Sequence, residues 1–145
     1  MPKTGSCLCG AVRYTAISEI AEAGACHCSM CRKWSGGVYI GIRVPADALK
    51  IEGAENLSVF TSSDWAERAF CSTCGSSLYY RVTAPGPHHG TYHIGMGTLD
   101  DASGVEVTEE IFTDLRPRGY AFAGELKGKT EAEVMAMFAD AGGDS

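Results

Sequence analysis

The sequence predicts a mainly β domain with one helix at its C-terminal end, and three observations support this prediction. Short segments alternate apolar and polar residues, or are rich in β-branched and aromatic residues, as strands are. Turn residues separate these segments at near-regular intervals, which is typical of a sandwich or a folded-over sheet. The sequence does not show the repeated alternation of strand and helix that would indicate a parallel sheet. We therefore expect short antiparallel strands.

Eight segments are predicted as strands. Residues 38–44 are β-branched and aromatic, and Pro45 stops this strand. Residues 49–52 alternate in polarity and end at Gly53. In chain order, the predicted strands are residues 11–15, 38–44, 49–52, 57–61, 66–70, 77–82, 91–96 and 105–112.

One helix is predicted, at about residues 131–141. Thr130 is a suitable N-cap, and Glu133 three residues later completes a capping box. The pair Gly142-Gly143 is expected to end the helix. One face is apolar, which indicates that the helix packs against the domain. The residues of that face are Val134, Met137, Phe138 and Ala141.

Length and charge limit the class of protein. At 145 residues the chain has the size of one domain, and we expect a single unit over residues 1–145. The net charge of −6 argues against binding to a nucleic-acid backbone, which needs patches of Lys and Arg. No apolar run approaches the ~20 residues that cross a bilayer, so no membrane partner is expected. The first residues carry no apolar signal segment, and we expect a cytoplasmic protein.

Seven cysteines dominate the chemistry of the sequence. They fall into three motifs: C-x-C at Cys7 and Cys9, C-x-C-x-x-C at Cys26, Cys28 and Cys31, and C-x-x-C at Cys71 and Cys74. Such spacings are typical of metal sites. Disulfides are rare in a reducing compartment, and an odd number of cysteines leaves one thiol over. The usual iron–sulfur motifs group their ligands in one run, whereas these sets are split.

Two of the motifs are predicted to share one structural zinc ion. Cys7 and Cys9 lie two apart on an extended segment, so both thiols point to the same face. A tight turn brings Cys71 and Cys74 to one ion, and Gly75 can adopt the positive φ that such a turn needs. Four thiolates close a tetrahedral site. Binding across about 60 residues of chain would also restrict the unfolded state.

The remaining motif predicts a second zinc site of a different kind. The spacing of Cys26, Cys28 and Cys31 lets all three bind one ion from a short turn, and three protein ligands with an open position are typical of catalytic zinc. The alternative is a closed site, completed by a distant residue such as His93 or by another chain. His27 is expected to point away, because it lies between two ligands. The occupancy of this second site is left open.

The charge of such a site favours one chemistry over another. Three thiolates leave the zinc unit with a net charge of −1, which lowers its Lewis acidity relative to a site of three neutral imidazoles. Activation of water is therefore disfavoured. Binding of an incoming thiol as its thiolate is favoured, because soft sulfur suits a thiolate-ligated zinc. The metal would lower the pKa of that thiol and hold it beside an electrophile.

Three stretches of the chain resemble one known family. They are residues 6–14 around Cys7 and Cys9, residues 26–33 from Cys26 to Lys33, and residues 70–78 around Cys71 and Cys74. The chain is similar over about residues 4–115 to the glutathione-dependent formaldehyde-activating enzyme family, which also includes centromere protein V. The resemblance implies a β-tent fold built around zinc. It also implies a structural zinc held by Cys7, Cys9, Cys71 and Cys74 and a reactive zinc held by Cys26, Cys28 and Cys31.

The resemblance further implies an activity and a partner. The reaction for which the family is named condenses formaldehyde with glutathione to S-(hydroxymethyl)glutathione and is classed as carbon–sulfur lyase chemistry. Family members often carry a His-Ile pair near the C-terminal end. Here that stretch reads Glu110-Ile111, so the histidine is absent and the substrate is left open.

Residues directly after the second site are candidates for substrate binding. Arg32 and Lys33 could pair with the carboxylates of an anionic thiol such as glutathione, with Trp34 beside them. The alternative for this stretch is a solvated turn whose tryptophan packs on the sheet. The alternative for the whole chain is a non-enzymatic zinc module that binds a protein or nucleic-acid partner. The sequence identifies no general base and no oligomeric state.

Overall fold

A computed structural model describes residues 2–140 of the chain, which form eleven strands and two α-helices in this range. The strands are β1 (Lys3–Ser6), β2 (Arg13–Ala16), β3 (Glu22–Cys26), β4 (Tyr39–Val44), β5 (Leu49–Glu52), β6 (Leu57–Thr61), β7 (Ala66–Cys71), β8 (Ser77–Val82), β9 (Tyr92–Gly95), β10 (Glu106–Ile111) and β11 (Lys127–Lys129). The helices are α1 (Ser29–Ser35) and α2 (Glu131–Asp140). The predicted mainly β fold with a C-terminal helix is confirmed.

The strands form two sheets. The small sheet has the order β1-β2-β5, and the large sheet has the order β11-β10-β3-β4-β9-β8-β7-β6. Most neighbours are antiparallel, as expected, but β10 pairs in parallel with both β3 and β11. The large sheet is therefore mixed. An isolated bridge joins Gly5 of the small sheet to Leu99, in the segment that follows β9 of the large sheet.

The core lies between one face of the large sheet and the small sheet. Strand alternation puts Ala69, Tyr79, Ile94 and Ile42 in one cross-strand row, and all four belong to the core together with Tyr14 of β2. The neighbouring row, which contains Arg68, Tyr80 and His93, points to the opposite face. Two distinct chemical environments thus exist on the two sides of the same strands.

Several elements were not predicted, because their sequences carry weak strand or helix signals. The strands β1, β3 and β11 are built mostly from Lys, Gly, Ala and Glu, which are poor strand formers. Pairing with better-defined neighbours holds them in place. Helix α1 has only seven residues, too few for a periodic pattern, and it is stabilised at its ends. Its cap residue Cys28 accepts from the Cys31 N–H at 3.3 Å, and Gly36 closes it at a φ of 81°.

Helix α2 has the predicted capping box. The Thr130 N–H donates to Glu133 Oε1 at 3.0 Å, and the Glu133 N–H donates to Thr130 Oγ1 at 3.3 Å. Of the predicted apolar face, Val134 is buried, whereas Met137 is half exposed. The side chain of Phe138 and the residues Ala141, Gly142 and Gly143 lie outside the described part of the chain. Within residues 2–140, neither helix combines the length and apolarity of a membrane span.

A buried polar cluster joins the loop before α1 to strand β10. His27 is 2% exposed, and its Nε2 lies 2.9 Å from Glu110 Oε1. Arg116 donates to the same carboxylate oxygen at 2.8 Å, and Tyr120 Oη lies 3.2 Å from His27 Nδ1. Both ring nitrogens of His27 therefore have partners outside the cysteines. Glu110 stands where the resemblance led us to look for a histidine, and it anchors His27 instead.

The Glu110 carboxylate should stabilise the fold in a pH-dependent way. Burial alone would raise its pKa, but hydrogen bonds from His27 and Arg116 bring the pKa below the usual value of 4.5. The resulting stability is fully present above pH 4.5 and is lost as the pH falls through the folded-state pKa. We expect Glu110→Gln to lower the free energy of unfolding at pH 7 by about 1.5–3 kcal/mol, the contribution of a charge-assisted hydrogen bond.

Denaturant titrations of both proteins between pH 7 and pH 3 test this expectation. The difference between wild type and Glu110→Gln should shrink below pH 4.5. Glu106→Gln, an exposed carboxylate on the same strand, is the matched control and should change stability by less than about 0.5 kcal/mol. A difference that stays constant over this pH range would contradict the assignment of the stabilisation to the ionised carboxylate.

Candidate metal centres

Four cysteine sulfurs converge at one end of the sheets. Cys7 and Cys9 come from the turn between β1 and β2, Cys71 ends β7, and Cys74 lies in the turn before β8. Their sulfur atoms all lie within 4.8 Å of one another, with Cys7–Cys9 at 3.6 Å and Cys9–Cys71 at 3.7 Å. Metal–sulfur bonds of about 2.3 Å in a tetrahedron give sulfur–sulfur distances of about 3.8 Å. The quartet therefore fits a tetrahedral four-sulfur site.

Backbone N–H groups point at these sulfurs and hold them in place. The Val12 N–H donates to Cys7 at 3.3 Å, and the Thr73 N–H donates to Cys71 at 3.4 Å. Gly75 adopts a φ of 79° beside the site, as predicted, and its N–H donates to the Cys71 carbonyl at 2.8 Å. Hydrogen bonds from the side chain and backbone of Ser76 lower the pKa of Cys74 to about 5. These contacts favour the thiolate form that metal ligands need.

The other three cysteines meet on the opposite side of the large sheet. Cys26 ends β3, Cys28 caps α1, and Cys31 lies in the first turn of that helix. Their sulfurs also lie within 4.8 Å of one another. Among the side chains described, those of residues 2–137, no further Cys, His, Asp or Glu ligand atom joins them at this spacing. This trio of Cys26, Cys28 and Cys31 is thus assembled by a local stretch of chain, as its spacing predicted.

His93, the candidate for a fourth ligand at the second site, does not join the trio sulfurs and packs on the sheet. It is stacked edge-on against Tyr80, with 5.4 Å between ring centroids. Burial lowers its pKa to about 4, with smaller contributions from the charges of Arg43 and His88. A neutral imidazole packed on the sheet is the role that the structure supports for His93.

Thiols packed this closely cannot all ionise without a positive charge nearby. Hydrogen bonds from the Cys26 and Cys31 thiols lower the pKa of Cys28 to about 2. The pKa of Cys26 is raised, because its proton is shared with Cys28 and Cys31 and because its sulfur is buried. A divalent cation would let all three become thiolates. All seven cysteines are free, and the quartet separations of 3.6 and 3.7 Å are far longer than a disulfide bond of about 2.05 Å.

An arginine that sequence reasoning missed lies against the trio. Arg68 of β7 is 2% exposed, and its two terminal nitrogens lie 3.6 and 3.7 Å from Cys31 Sγ. Its guanidinium carbon is 5.2 Å from the Trp34 ring centroid and 5.0 Å from that of Tyr80. The sequence offers little signal for this position, because a charged residue in an alternating strand is normally assigned to the solvent face.

The candidate substrate-binding residues on α1 are placed differently from one another. Trp34 is half-buried and packs on Tyr39, with 5.4 Å between ring centroids, while its other neighbour is Arg68. Arg32 and Lys33 are exposed in the last turn of the helix. Trp34 is therefore one of the two aromatic residues, with Tyr80, that pack against the Arg68 guanidinium. The two cations lie on the outer surface of the helix that carries Cys31.

Comparisons with known proteins agree with this geometry. The sequence profile of the glutathione-dependent formaldehyde-activating enzyme family matches residues 2–115. An uncharacterized lyase of Schizosaccharomyces pombe is 30% identical over 131 residues, which are 90% of this chain and 93% of the yeast protein.

A putative glutathione-dependent formaldehyde-activating enzyme of Halomonas elongata is 40% identical over 83 residues, 52% of this chain and 53% of that protein. A protein of Podospora anserina with the same description is 33% identical over 92 residues, 60% of this chain and 43% of that protein. The alignments thus span about half the length of these two relatives and nearly all of the yeast lyase. The matched profile covers both cysteine clusters, and the chain belongs to the glutathione-dependent formaldehyde-activating enzyme family.

Proposed function

We propose that the chain is a zinc-dependent enzyme of the carbon–sulfur lyase type, which handles the adduct of a thiol such as glutathione with a small aldehyde such as formaldehyde. One observation carries the proposal: the chain builds two sulfur clusters of different size, one with four ligands and one with three. Family membership and the names of the relatives support the same chemistry. Seven free thiols suit the reducing conditions of the cytoplasm, where we place the protein.

Cys7, Cys9, Cys71 and Cys74 would hold a structural zinc ion. Cys7 and Cys71 are both buried, and the four ligands come from two turns that are far apart in sequence. Binding would tie the β1–β2 turn to the end of β7 and so attach the small sheet to the large one. An ion that links distant segments contributes directly to the stability of the fold.

Cys26, Cys28 and Cys31 would hold the reactive zinc ion, as three ligands that leave room for one more. When bound there, zinc supplies a coordination position at which an added thiol is stabilised as its thiolate. Trp34 and Arg68 would lie beside this open coordination position and restrict the access of water to it. We assign Arg32 and Lys33, exposed on the same helix, to the carboxylates of glutathione.

The proposed reaction needs no oxidant or reductant. The thiol sulfur supplies the electron pair for a new carbon–sulfur bond, the carbonyl π bond breaks, and the thiol proton ends on the former carbonyl oxygen. The reverse step breaks the same carbon–sulfur bond and returns thiol and aldehyde. Orientation and ionisation of the thiol are what the protein would contribute.

The first test measures zinc content and catalytic turnover on the same protein samples. Purified wild-type protein should contain two zinc ions per chain, matching its two clusters. It should also accelerate the exchange between formaldehyde, glutathione and their adduct, followed by ¹³C NMR. Cys28→Ser should remain folded, lose one of the two ions and lose the acceleration, because it removes a ligand from the trio alone.

Met30→Leu is the matched control for this test. Met30 lies between two trio ligands and is partly exposed, so its replacement should leave zinc content and exchange unchanged. Full acceleration by Cys28→Ser, or exchange by wild type no faster than in buffer, would contradict the proposed function. Two inert ions without turnover would favour a non-enzymatic zinc module.

The second test concerns recognition of the thiol. We expect the double variant Arg32→Met/Lys33→Met to raise KM for glutathione several-fold with little change in kcat, since exposed charge pairs contribute about 0.2–1 kcal/mol each. KM for an uncharged small thiol should not change. Lys50→Met, an exposed lysine on the small sheet, serves as the control. An equal rise in KM for both thiols would exclude charge recognition by these residues.

A further inference from the structure

Arg68 lacks the partners that a buried arginine normally has. Among residues 2–137, no carboxylate lies within ion-pair distance of it, and the ion pairs of this range join Glu110 to His27 and to Arg116. Its Nε–H is buried without a hydrogen-bond partner. The other N–H groups that make polar contacts reach only Cys31 Sγ. A buried, uncompensated charge costs several kcal/mol, so a nearby negative charge is required.

The trio is the source of negative charge that lies in contact with this guanidinium. The two terminal nitrogens of Arg68 lie 3.6 and 3.7 Å from Cys31 Sγ, which is one of the three sulfurs. Three thiolates around a divalent ion carry a net charge of −1, and one guanidinium brings the sum to zero. The aromatic faces of Trp34 and Tyr80 hold the guanidinium in this position from either side.

We propose that Arg68 is the fixed counter-charge of the trio and tunes the metal through Cys31. Its N–H groups withdraw electron density from one sulfur ligand, which partly restores the Lewis acidity that three thiolates remove. This is a positioning and tuning role, since Arg68 acts on the ion through a ligand. The inference rests on the proposed function to the extent that the trio holds a divalent ion.

Two observations make this more than a packing role. The cross-strand register pairs Arg68 with Tyr80, and Tyr80 in turn with His93, so that the arginine lies on the site face of the sheet and not on the core face. A residue that only filled space could be apolar at this depth. Arg81, on the next strand, shows the ordinary alternative: it stacks on Tyr92 at 4.4 Å and donates through Nε to the Gly90 carbonyl.

Cobalt(II) substitution tests the proposal, because sulfur-to-cobalt charge-transfer bands report on the electron density of the thiolates. We would load the full chain with two cobalt ions and obtain the trio spectrum by subtracting the spectrum of Cys28→Ser. In Arg68→Met, the trio bands should move to longer wavelength, because Cys31 becomes a stronger electron donor. The affinity of the trio for cobalt should fall by about 10- to 100-fold, as for other residues that support metal ligands.

Two further variants keep the test decisive. Arg68→Lys restores the charge and should recover part of the affinity, whereas Arg81→Met should leave the trio unchanged in bands and affinity. The quartet spectrum, unchanged in every variant, reports that the protein is folded. Trio bands and affinity in Arg68→Met identical to wild type would overturn the role of Arg68. A wild-type chain that binds no cobalt at the trio would instead overturn the proposed function on which this role rests.

Discussion

Close packing of sulfur atoms is the constraint on which the rest of this structure depends. Seven thiols are collected into two clusters, each with its sulfurs within 4.8 Å of one another. At such distances ionised sulfurs repel, and protonated ones cannot satisfy each other well inside a fold. Cations relieve this strain. Both clusters receive backbone N–H groups, but the trio also has a buried arginine beside it.

The two clusters lie on different sides of the large sheet. Alternation along β7 places Ala69 and Cys71 toward the core and Arg68 toward the other face. One strand thus contributes a ligand to the quartet and a charge to the trio. We infer that metal binding at the quartet, by fastening the end of β7, also fixes the position of Arg68. The quartet and the trio would then be mechanically connected through the four residues from Arg68 to Cys71.

The sequence predicted the parts of this structure that are encoded locally. The trio and the two halves of the quartet follow from cysteine spacing, since two- and three-residue intervals suffice to bring thiols together. The two halves were paired because four thiolates close a tetrahedral site. Strands β5, β6 and β8 were predicted with their observed bounds, because β-branched or aromatic residues alternate in them and turn residues flank them. The capping box of α2 is likewise a local signal, and Thr130 and Glu133 form it as expected.

What the sequence could not show are contacts between distant segments that carry no ligand motif. Arg68 meets Cys31 only because β7, β8 and α1 come together in the folded chain, and Glu110 meets His27 through the parallel pairing of β10 with β3. Neither the Arg68–Cys31 contact nor the Glu110–His27 contact can be recognised from the spacing of residues in the sequence. Strand β3 was missed for a related reason, since a distant segment restricts its Gly24: a Cβ there would lie 3.1 Å from the Glu109 side chain.

The central claim is that four sulfurs saturate one ion and three leave the other accessible to an outside thiol. X-ray absorption at the zinc edge measures this most directly, because it counts the sulfur neighbours of each ion. With seven cysteines shared between two clusters, the account predicts an average of about 3.5 sulfur ligands per zinc, rising to about 4 when excess glutathione is added. An average that glutathione does not change would contradict the account.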